Sequence, residues 1–139
     1  MKFRIKSISD WKDISDALIA NFPRKIVGLV GSLGAGKTSL VKSISTALKI
    51  EDEVTSPTYS IVQEYGEYPN KIIHMDLYRI NSFDELLDIG IEEYLHNNAL
   101  KIIEWPQILI ESITDLDYTL ISIDVLESGE RIVNIEEVN

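Results

Sequence analysis

Gly31-Ser32-Leu33-Gly34-Ala35-Gly36-Lys37-Thr38 is a complete G-x-x-x-x-G-K-S/T sequence, and this stretch decides the fold. It follows the apolar run Ile26 to Val30 and precedes the segment Leu40 to Leu48, whose apolar residues have helical spacing. A buried strand, a glycine-rich loop and an amphipathic helix in this order predict a nucleotide phosphate-binding unit. The alternative, a glycine-rich turn that contains a lysine by chance, is disfavoured by this context.

Each part of the loop suits one group of a nucleoside triphosphate. Glycines permit the positive φ angles that turn backbone N–H groups toward an anion, and the following helix adds the positive end of its dipole. Lys37 is expected to reach the β- and γ-phosphates, and the Thr38 hydroxyl is a suitable ligand for Mg²⁺. The other positions expected to contact the nucleotide are Ser32, Leu33, Gly34, Ala35 and Gly36.

The composition predicts one globular domain over residues 1–139. Hydrophobic residues make up 45% of the 139-residue chain, which is ordinary for a globular fold with a core. No apolar stretch approaches the length of a membrane span, and the N-terminus alternates like a strand, so we expect a cytoplasmic protein without a membrane anchor. The chain has no cysteine, which excludes disulfides, thiolate metal sites and a cysteine nucleophile.

The charge argues against direct binding of nucleic acid. Thirteen Lys and Arg residues face 23 Asp and Glu residues, giving a formal net charge of −10. This sign repels a phosphate backbone, so any role near RNA is expected to pass through a partner. A simpler interpretation is that the acidity only keeps the protein soluble.

The order of the predicted elements indicates an α/β fold. Segments 58–65 and 71–77, and segments 118–126 and 131–138, are expected to form antiparallel hairpins, whereas strands near the loop are expected to be parallel. The prediction is a P-loop NTPase-like three-layer sandwich with a mixed sheet. The other predicted strands are a first one marked by Phe3, Ile5 and Ile8, then 25–31 and 99–105, and the predicted helices are 11–22, 37–48, 83–87, 91–95 and 107–113.

Two carboxylates follow apolar runs and are candidates to complete the site. Asp76 ends the segment Ile72 to Asp76, and Glu104 ends Leu100 to Glu104. Side chains at the carboxyl ends of strands in an open α/β sheet face the same crevice as the phosphate loop, so both are expected near the metal. The alternative for each is a helix cap or a solvated residue at the sheet edge.

The remaining polar signals are weaker. No Asn-Lys-x-Asp guanine-binding motif is present, since Asn70-Lys71 is followed by two isoleucines, and ATP is therefore the expected nucleotide. His74 lies within a strand pattern and His96 near a predicted helix end. We interpret each as a packed or capping histidine rather than a catalytic base.

Several segments together resemble one protein family. The chain is similar to the TsaE family, also called YjeE, from the first helix to the final hairpin. The segments after the loop are far more specific than the loop, which many ATPases share. Those that carry the resemblance are Gly31–Thr38, Thr55-Ser56-Pro57-Thr58-Tyr59, His74-Met75-Asp76-Leu77-Tyr78-Arg79, Glu85–Ile91 and Glu104-Trp105-Pro106.

The resemblance implies a small P-loop ATPase of bacterial tRNA threonylcarbamoyladenosine biosynthesis. Such a protein works with TsaB and TsaD, and its ATP turnover drives or resets the complex while TsaD performs the transfer. It contacts tRNA only indirectly through that complex, which agrees with the acidic charge.

Carried over by position, the resemblance also implies roles for individual residues. Lys37 binds phosphates, and Thr38 and Glu104 hold Mg²⁺. Asp76 lies beside the γ-phosphate and the attacking water, and Thr58 lies over the triphosphate as a switch-type residue.

Three further positions carry narrower implications. Trp11 would lie near the adenine, although its helical spacing also predicts a core residue, and Arg131 would close the base pocket. Ser32 stands where the family usually has Asp at the second loop position. Phosphate binding is expected to survive this difference, which bears instead on any role of that acid in coupling the site to partners or in tuning hydrolysis.

Two other function classes use the same loop. A small-molecule kinase needs an acceptor pocket and commonly an arginine-rich lid, and the four arginines of this chain are spread along the sequence. A nucleotide-dependent binding module would use ATP to hold one conformation, with incidental hydrolysis. The scattered arginines disfavour the kinase, and the set Lys37, Thr38, Asp76 and Glu104 favours turnover over the binding module.

Overall fold

The computed structural model describes residues 1–21, 26–32, 34–55 and 61–138. Each predicted helix and strand has a counterpart among these residues. In chain order they are β1 (Lys2–Ile5), α1 (Asp10–Asn21), β2 (Ile26–Gly31), α2 (Lys37–Ala47), β3 (Val62–Glu67), β4 (Asn70–Asp76), α3 (Phe83–Asp88), α4 (Ile91–His96), β5 (Leu100–Glu104), α5 (Gln107–Ser112), β6 (Tyr118–Val125) and β7 (Arg131–Val138).

The seven strands form one mixed sheet in the order β1-β7-β6-β2-β5-β4-β3. Strands β6, β2, β5 and β4 are parallel neighbours, whereas β3 with β4, β6 with β7, and β1 with β7 are antiparallel. The expected parallel core and both antiparallel hairpins are confirmed. Strand β2, which leads into the phosphate loop, is central because its residues 27–30 are hydrophobic apart from Gly28 and suit burial on both faces.

Helices cover both faces of the sheet, as the three-layer prediction requires. Successive residues of a strand point to opposite faces. On β4 and β5, Ile72 and Ile102 belong to the core that contains α1 and α2 residues, whereas Ile73 and Ile103 belong to the core that contains residues of α3, α4 and α5. Two hydrophobic cores therefore enclose the sheet.

The N-terminal strand is shorter than predicted. It ends at Ile5, and the Ile8 side chain is exposed. The Asp10 carboxylate accepts hydrogen bonds from the Lys6 and Ser7 N–H groups at 2.8 and 3.0 Å, so the chain turns before α1 and leaves the strand. These bonds lower the pKa of Asp10. Predicted helix residue Phe22 lies outside the described residues.

The first hairpin and α3 also differ in detail from the predictions. Strand β3 continues through Gly66 to Glu67, so only Tyr68 and Pro69 connect it to β4, where the predicted turn was longer. Helix α3 ends at Asp88, one residue later than predicted, and its N-cap Ser82 accepts a hydrogen bond from the Glu85 N–H at 3.3 Å. Gly90 separates α3 from α4.

No helix within the described part of the chain combines the length and the apolar character needed to cross a membrane.

Candidate functional site

The phosphate loop connects the end of β2 to the start of α2. The Ala35 N–H donates to the Ser32 carbonyl at 3.0 Å, and the Leu40 N–H donates to the Gly36 carbonyl at 2.9 Å as the helix begins. Gly36 has a φ of 111°, and a Cβ at this position would lie 2.5 Å from Trp11 Cζ2. Only glycine satisfies both conditions, because it tolerates positive φ and has no Cβ.

The Lys37 side chain folds back across the loop. Its Nζ donates to the Gly31 carbonyl at 3.0 Å and lies 3.4 Å from Glu104 Oε1. The same ammonium group lies 5.5 Å from the centre of the Trp105 ring. Lys37 is thus held at the start of the loop by a carbonyl, a carboxylate and an aromatic face, in the place where phosphates are expected.

Asp76 and Glu104 lie opposite each other at the ends of β4 and β5. Both point to the face of the sheet that α2 covers, since they share the parity of Ile72 and Ile102. Two hydrogen bonds hold this edge together, because the Leu77 N–H donates to the Glu104 carbonyl at 3.0 Å and the Tyr78 N–H donates to the Asp76 side-chain oxygen Oδ1 at 3.0 Å. The two carboxylates predicted from separate motifs therefore share one edge with the phosphate loop.

His74 connects to this pair from inside the protein. It is fully buried, and its Nε2 lies 2.6 Å from Glu104 Oε2. The packed histidine predicted from the strand pattern is confirmed as buried, but the sequence did not reveal its carboxylate partner. His96, at the end of α4, has its Nδ1 2.7 Å from the Glu92 carbonyl oxygen, which agrees with the predicted position at a helix end.

The environment of Glu104 favours its ionised form. Burial acts to raise the pKa of this carboxyl, but the hydrogen bond from His74, together with the charge and hydrogen bond of Lys37, outweighs burial and lowers the pKa below its ordinary value of 4.5. Glu104, which is only 6% exposed to solvent, therefore retains a negative charge next to Lys37.

This shift predicts how acid acts on the protein. A pKa that is lower in the folded state stabilises the fold above the unfolded-state pKa, and this contribution disappears as the pH falls through the folded-state pKa. From about pH 7 to about pH 3, wild type is expected to lose more free energy of unfolding than Glu104→Gln, which cannot titrate at this position. Urea unfolding of both proteins across this range measures the difference. Parallel pH profiles would contradict the prediction.

A cleft of about 630 Å³ opens over the loop and the ends of β4 and β5. Ser32 lines an adjoining pocket that shares Lys37 with the cleft. Ala35 is fully buried beneath the loop. Two predicted site residues, Leu33 and Thr58, lie outside the described residues. The predicted site residues that line the cleft are Gly34, Gly36, Lys37, Thr38, Asp76, Glu104 and Arg131.

Trp11 lies beside this cleft without lining it. Its ring is buried in the core and packs against Gly36, in agreement with its helical spacing. It also lines a pocket between α1 and α2 to which Ser39 contributes, and Ser39 lines the main cleft as well. Trp11 is thus a core residue with one edge near the nucleotide-binding loop.

Arg131 binds the phosphate loop directly. Its Nε donates to the Ala35 carbonyl at 2.7 Å, and its Nη2 donates to the Gly34 carbonyl at 3.2 Å. A third bond, from Nη1 to the Gly129 carbonyl at 3.4 Å, ties the guanidinium to its own hairpin. Because loop carbonyls are held by Arg131, the hairpin of β6 and β7 contributes to the shape of the loop.

Two aromatic residues at the rim were not predicted as site residues. The rings of Tyr78 and Trp105 are 5.0 Å apart and tilted by 52°, both line the cleft, and both are exposed. Trp105 has a φ of 54°, which is unusual for a non-glycine residue. Such strained backbone angles cluster at functional sites. The available signal was their position one or two residues after the motif carboxylates, since Trp105 follows Glu104 and Tyr78 is two residues after Asp76.

The oxygen donors in the cleft suit a Mg²⁺ ion that is also bound by phosphates and water, rather than a metal ion whose ligands all come from the protein. The Thr38 hydroxyl and the Glu104 and Asp76 carboxylates are hard oxygen ligands. Among the described residues, no group of three or more His, Asp or Glu side chains is arranged to hold a metal ion. Mg²⁺ usually binds through one or two protein oxygens together with substrate phosphates and water, which agrees with this sparse donor set.

Comparisons with known proteins agree on one family. A family profile described as "Threonylcarbamoyl adenosine biosynthesis protein TsaE" matches residues 5–133. The tRNA threonylcarbamoyladenosine biosynthesis protein TsaE of Bacillus subtilis is 36% identical over 115 residues, covering 81% of this chain and 71% of that protein. The protein of the same name from Rickettsia bellii is 33% identical over 133 residues, covering 94% and 91%.

A solved structure resembles the whole chain. It is described as the crystal structure of Bacillus subtilus YdiB, and it matches with a TM-score of 0.77 and 26% sequence identity. The match covers 100% of this chain and 86% of that chain. The shared architecture is the α/β fold with helices on both faces of a mixed sheet.

Proposed function

The chain belongs to the TsaE family of threonylcarbamoyl adenosine biosynthesis proteins, and we propose that it serves this tRNA modification by binding and hydrolysing ATP with Mg²⁺. The observation that carries the proposal is the convergence of Lys37, Asp76 and Glu104 on one cleft over a complete phosphate loop. A family profile alone supports a nucleotide-binding protein. The carboxylates beside the loop are what favour hydrolysis.

The loop and Lys37 are proposed to bind the triphosphate. Backbone N–H groups of residues 32–38 and the start of α2 supply partial positive charge, and Lys37 supplies a full charge for the β- and γ-phosphates. Lys37 would exchange its present bond to the Gly31 carbonyl for a bond to a phosphate oxygen. In this role it concentrates positive charge where negative charge develops during phosphoryl transfer.

Thr38 and Glu104 are proposed to hold Mg²⁺ between the protein and the phosphates. When bound, Mg²⁺ supplies charge that neutralises the β- and γ-phosphate oxygens. Glu104 suits this role because its lowered pKa keeps the carboxylate ionised. The Thr38 hydroxyl is a neutral oxygen donor at the first turn of α2, facing the same cleft.

Asp76 is proposed to orient the attacking water. Its carboxylate is held by the Tyr78 N–H, and its backbone N–H donates to the Ile61 carbonyl at 2.9 Å. A carboxylate held this way can accept a proton from water beside the γ-phosphate. Thr58, which would lie over the triphosphate, is proposed as its switch-type companion from the family resemblance.

Trp11 and Arg131 are proposed to border the nucleoside. Both lie against Gly36, since a Cβ there would approach Trp11 Cζ2 to 2.5 Å and Arg131 Nε to 3.4 Å. The backbone positions Ser32, Leu33, Gly34 and Ala35 complete the proposed contacts to nucleotide. The role of Arg131 thus includes support of the loop in addition to contact with the base.

We place this activity in a complex with TsaB and TsaD, in the cytoplasm where tRNA is modified. The net charge of −10 suits a subunit that drives such a complex without holding tRNA itself. A partner can also supply positive charge to the transition state, as activating proteins do for other P-loop enzymes.

The test measures phosphate release from ATP with the chain alone and after addition of TsaB, TsaD and tRNA. We expect Mg²⁺-dependent hydrolysis that rises at least about tenfold in the complete mixture, because partner-supplied charge acts on the transition state. Reactions without this chain give the background. A rate unaffected by TsaB, TsaD and tRNA would contradict the proposed partnership.

A small-molecule kinase is the second candidate. The pocket of about 460 Å³ beside Lys37, lined in part by Gln107, Ser122 and Asp124, is where a phosphoryl acceptor would bind. In the same assay a kinase would release ADP without a matching amount of inorganic phosphate. Equal amounts of the two products would exclude it.

A further inference from the structure

His74 lies in a buried position from which its ring contacts the Glu104 carboxylate. On the paired strands His74 lies opposite Ile102, and Asp76 lies opposite Glu104, so His74 reaches Glu104 diagonally on the same face of the sheet. Its ring is fully enclosed, and Nε2 lies 2.6 Å from Glu104 Oε2. This distance is that of a strong hydrogen bond.

The other ring nitrogen shows how the imidazole is oriented. Nδ1 is buried and has no hydrogen-bond partner among the described residues. A hydrogen on Nδ1 would leave an unpaired buried N–H, so the contacts assign the hydrogen to Nε2, which donates it to Glu104. An apolar side chain would fill this space without an unpaired polar atom. Within the described part of the chain, the ring therefore makes a hydrogen bond to Glu104 alone.

The two oxygens of Glu104 are thereby distinguished. Oε2 is bound from inside by His74, while Oε1 lies 3.4 Å from Lys37 Nζ on the cleft side. Anchoring one oxygen restricts rotation of the carboxylate and keeps the other at the phosphate loop. Partners that orient a ligating carboxylate in this way commonly determine metal affinity.

We propose that His74 is a positioning residue that holds the Glu104 carboxylate in the orientation required to bind Mg²⁺ with ATP. The proposal rests on the Mg²⁺-ATP function proposed above. His74 itself does not contact metal or nucleotide, since it is separated from the cleft by Glu104. Its effect is on the affinity for Mg²⁺ and not on the affinity for phosphates.

The test compares two substitutions of His74. Glutamine keeps an N–H donor at a reach close to that of Nε2, whereas leucine fills the space without a donor. Mg²⁺ is titrated into each protein with a non-hydrolysable ATP analogue, and the midpoint is read from the rise in unfolding temperature. ATP hydrolysis at the same Mg²⁺ concentrations gives a second reading.

His74→Leu is expected to raise the Mg²⁺ concentration at half-effect by about tenfold or more, and His74→Gln to restore it to within about threefold of wild type. Binding of the analogue without Mg²⁺ is expected to stay unchanged in both. Unfolding temperatures without ligand report any general loss of stability. If His74→Leu does not fold, His74→Met replaces it, because its flexible side chain also fills the space without an N–H donor.

Two results would overturn this role. One is a donor-free variant with the Mg²⁺ midpoint of wild type, and the other is an equal increase for the glutamine variant and the donor-free variant. A different result concerns the proposed function. Wild type without any Mg²⁺-dependent effect on analogue binding or hydrolysis would overturn that function, and the role of His74 with it.

Discussion

Lys37→Ala is expected to abolish the rise in unfolding temperature that ATP gives to the wild-type protein. The lysine ammonium is the one group of the loop expected to bring a full positive charge to the β- and γ-phosphates. Loss of a single preorganised group at developing charge reduces rates on the order of 10²- to 10³-fold, so hydrolysis is expected to fall to background. Thermal shift with ATP and Mg²⁺, followed by a phosphate-release assay, measures both effects.

The fold should survive this substitution. Lys37 contacts the Gly31 carbonyl and Glu104 at the edge of the cleft and is not part of either hydrophobic core. Lys2→Ala is the matched control, because it removes the same charge from the edge strand β1. Retained ATP stabilisation in Lys37→Ala, at the level of Lys2→Ala, would refute the assignment of the loop as the phosphate site.

Gly36→Ala is expected to reduce the free energy of unfolding by about 3 kcal/mol or more. A positive φ at a non-glycine residue destabilises the folded state by roughly 1 to 3 kcal/mol, and overpacking against the Trp11 ring destabilises it by a similar amount. The new Cβ would lie 2.5 Å from Trp11 Cζ2, so the ring or the loop must shift. Because the loop would move away from its binding shape, nucleotide affinity should fall as well.

Gly129→Ala separates the effect of the positive φ from the effect of overpacking against Trp11. Gly129 also has a positive φ, of 88°, but nothing lies within 4 Å of a Cβ at that position. Its substitution is expected to reduce the free energy of unfolding by only about 1 kcal/mol, which is the cost of the positive φ alone. Chemical denaturation of both variants measures the difference. Equal losses would show that Trp11 does not restrict Gly36.

Prediction from sequence succeeded where the signal is local. Alternation of apolar residues predicted the strands, helical spacing predicted α1 and α2, and the loop motif located the end of β2. It was less accurate at boundaries, such as the early end of β1 at Ile5 and the extension of β3 to Glu67. There a short side-chain cap or the pairing of a neighbouring strand determines where the element ends.

The candidate site was predicted in part for the same reason. The positions of Asp76 and Glu104 at strand ends could be predicted because each follows an apolar run. Neither the bond from His74 to Glu104 nor the bonds from Arg131 to the loop left a pattern in the sequence. Glu104 is 30 residues from His74 in the chain, and Ala35 is 96 residues from Arg131.

The sequence by itself determined the kind of protein, because the phosphate loop, the periodicities and the family segments are properties of consecutive residues. Only the tertiary structure decided which residues cooperate. The sheet order places β4 beside β5 and brings β7 within reach of the loop that follows β2, so His74 meets Glu104 and Arg131 meets Ala35. Contacts between distant residues depend on which strands pair and in which register, and that choice is made by packing over the whole sheet.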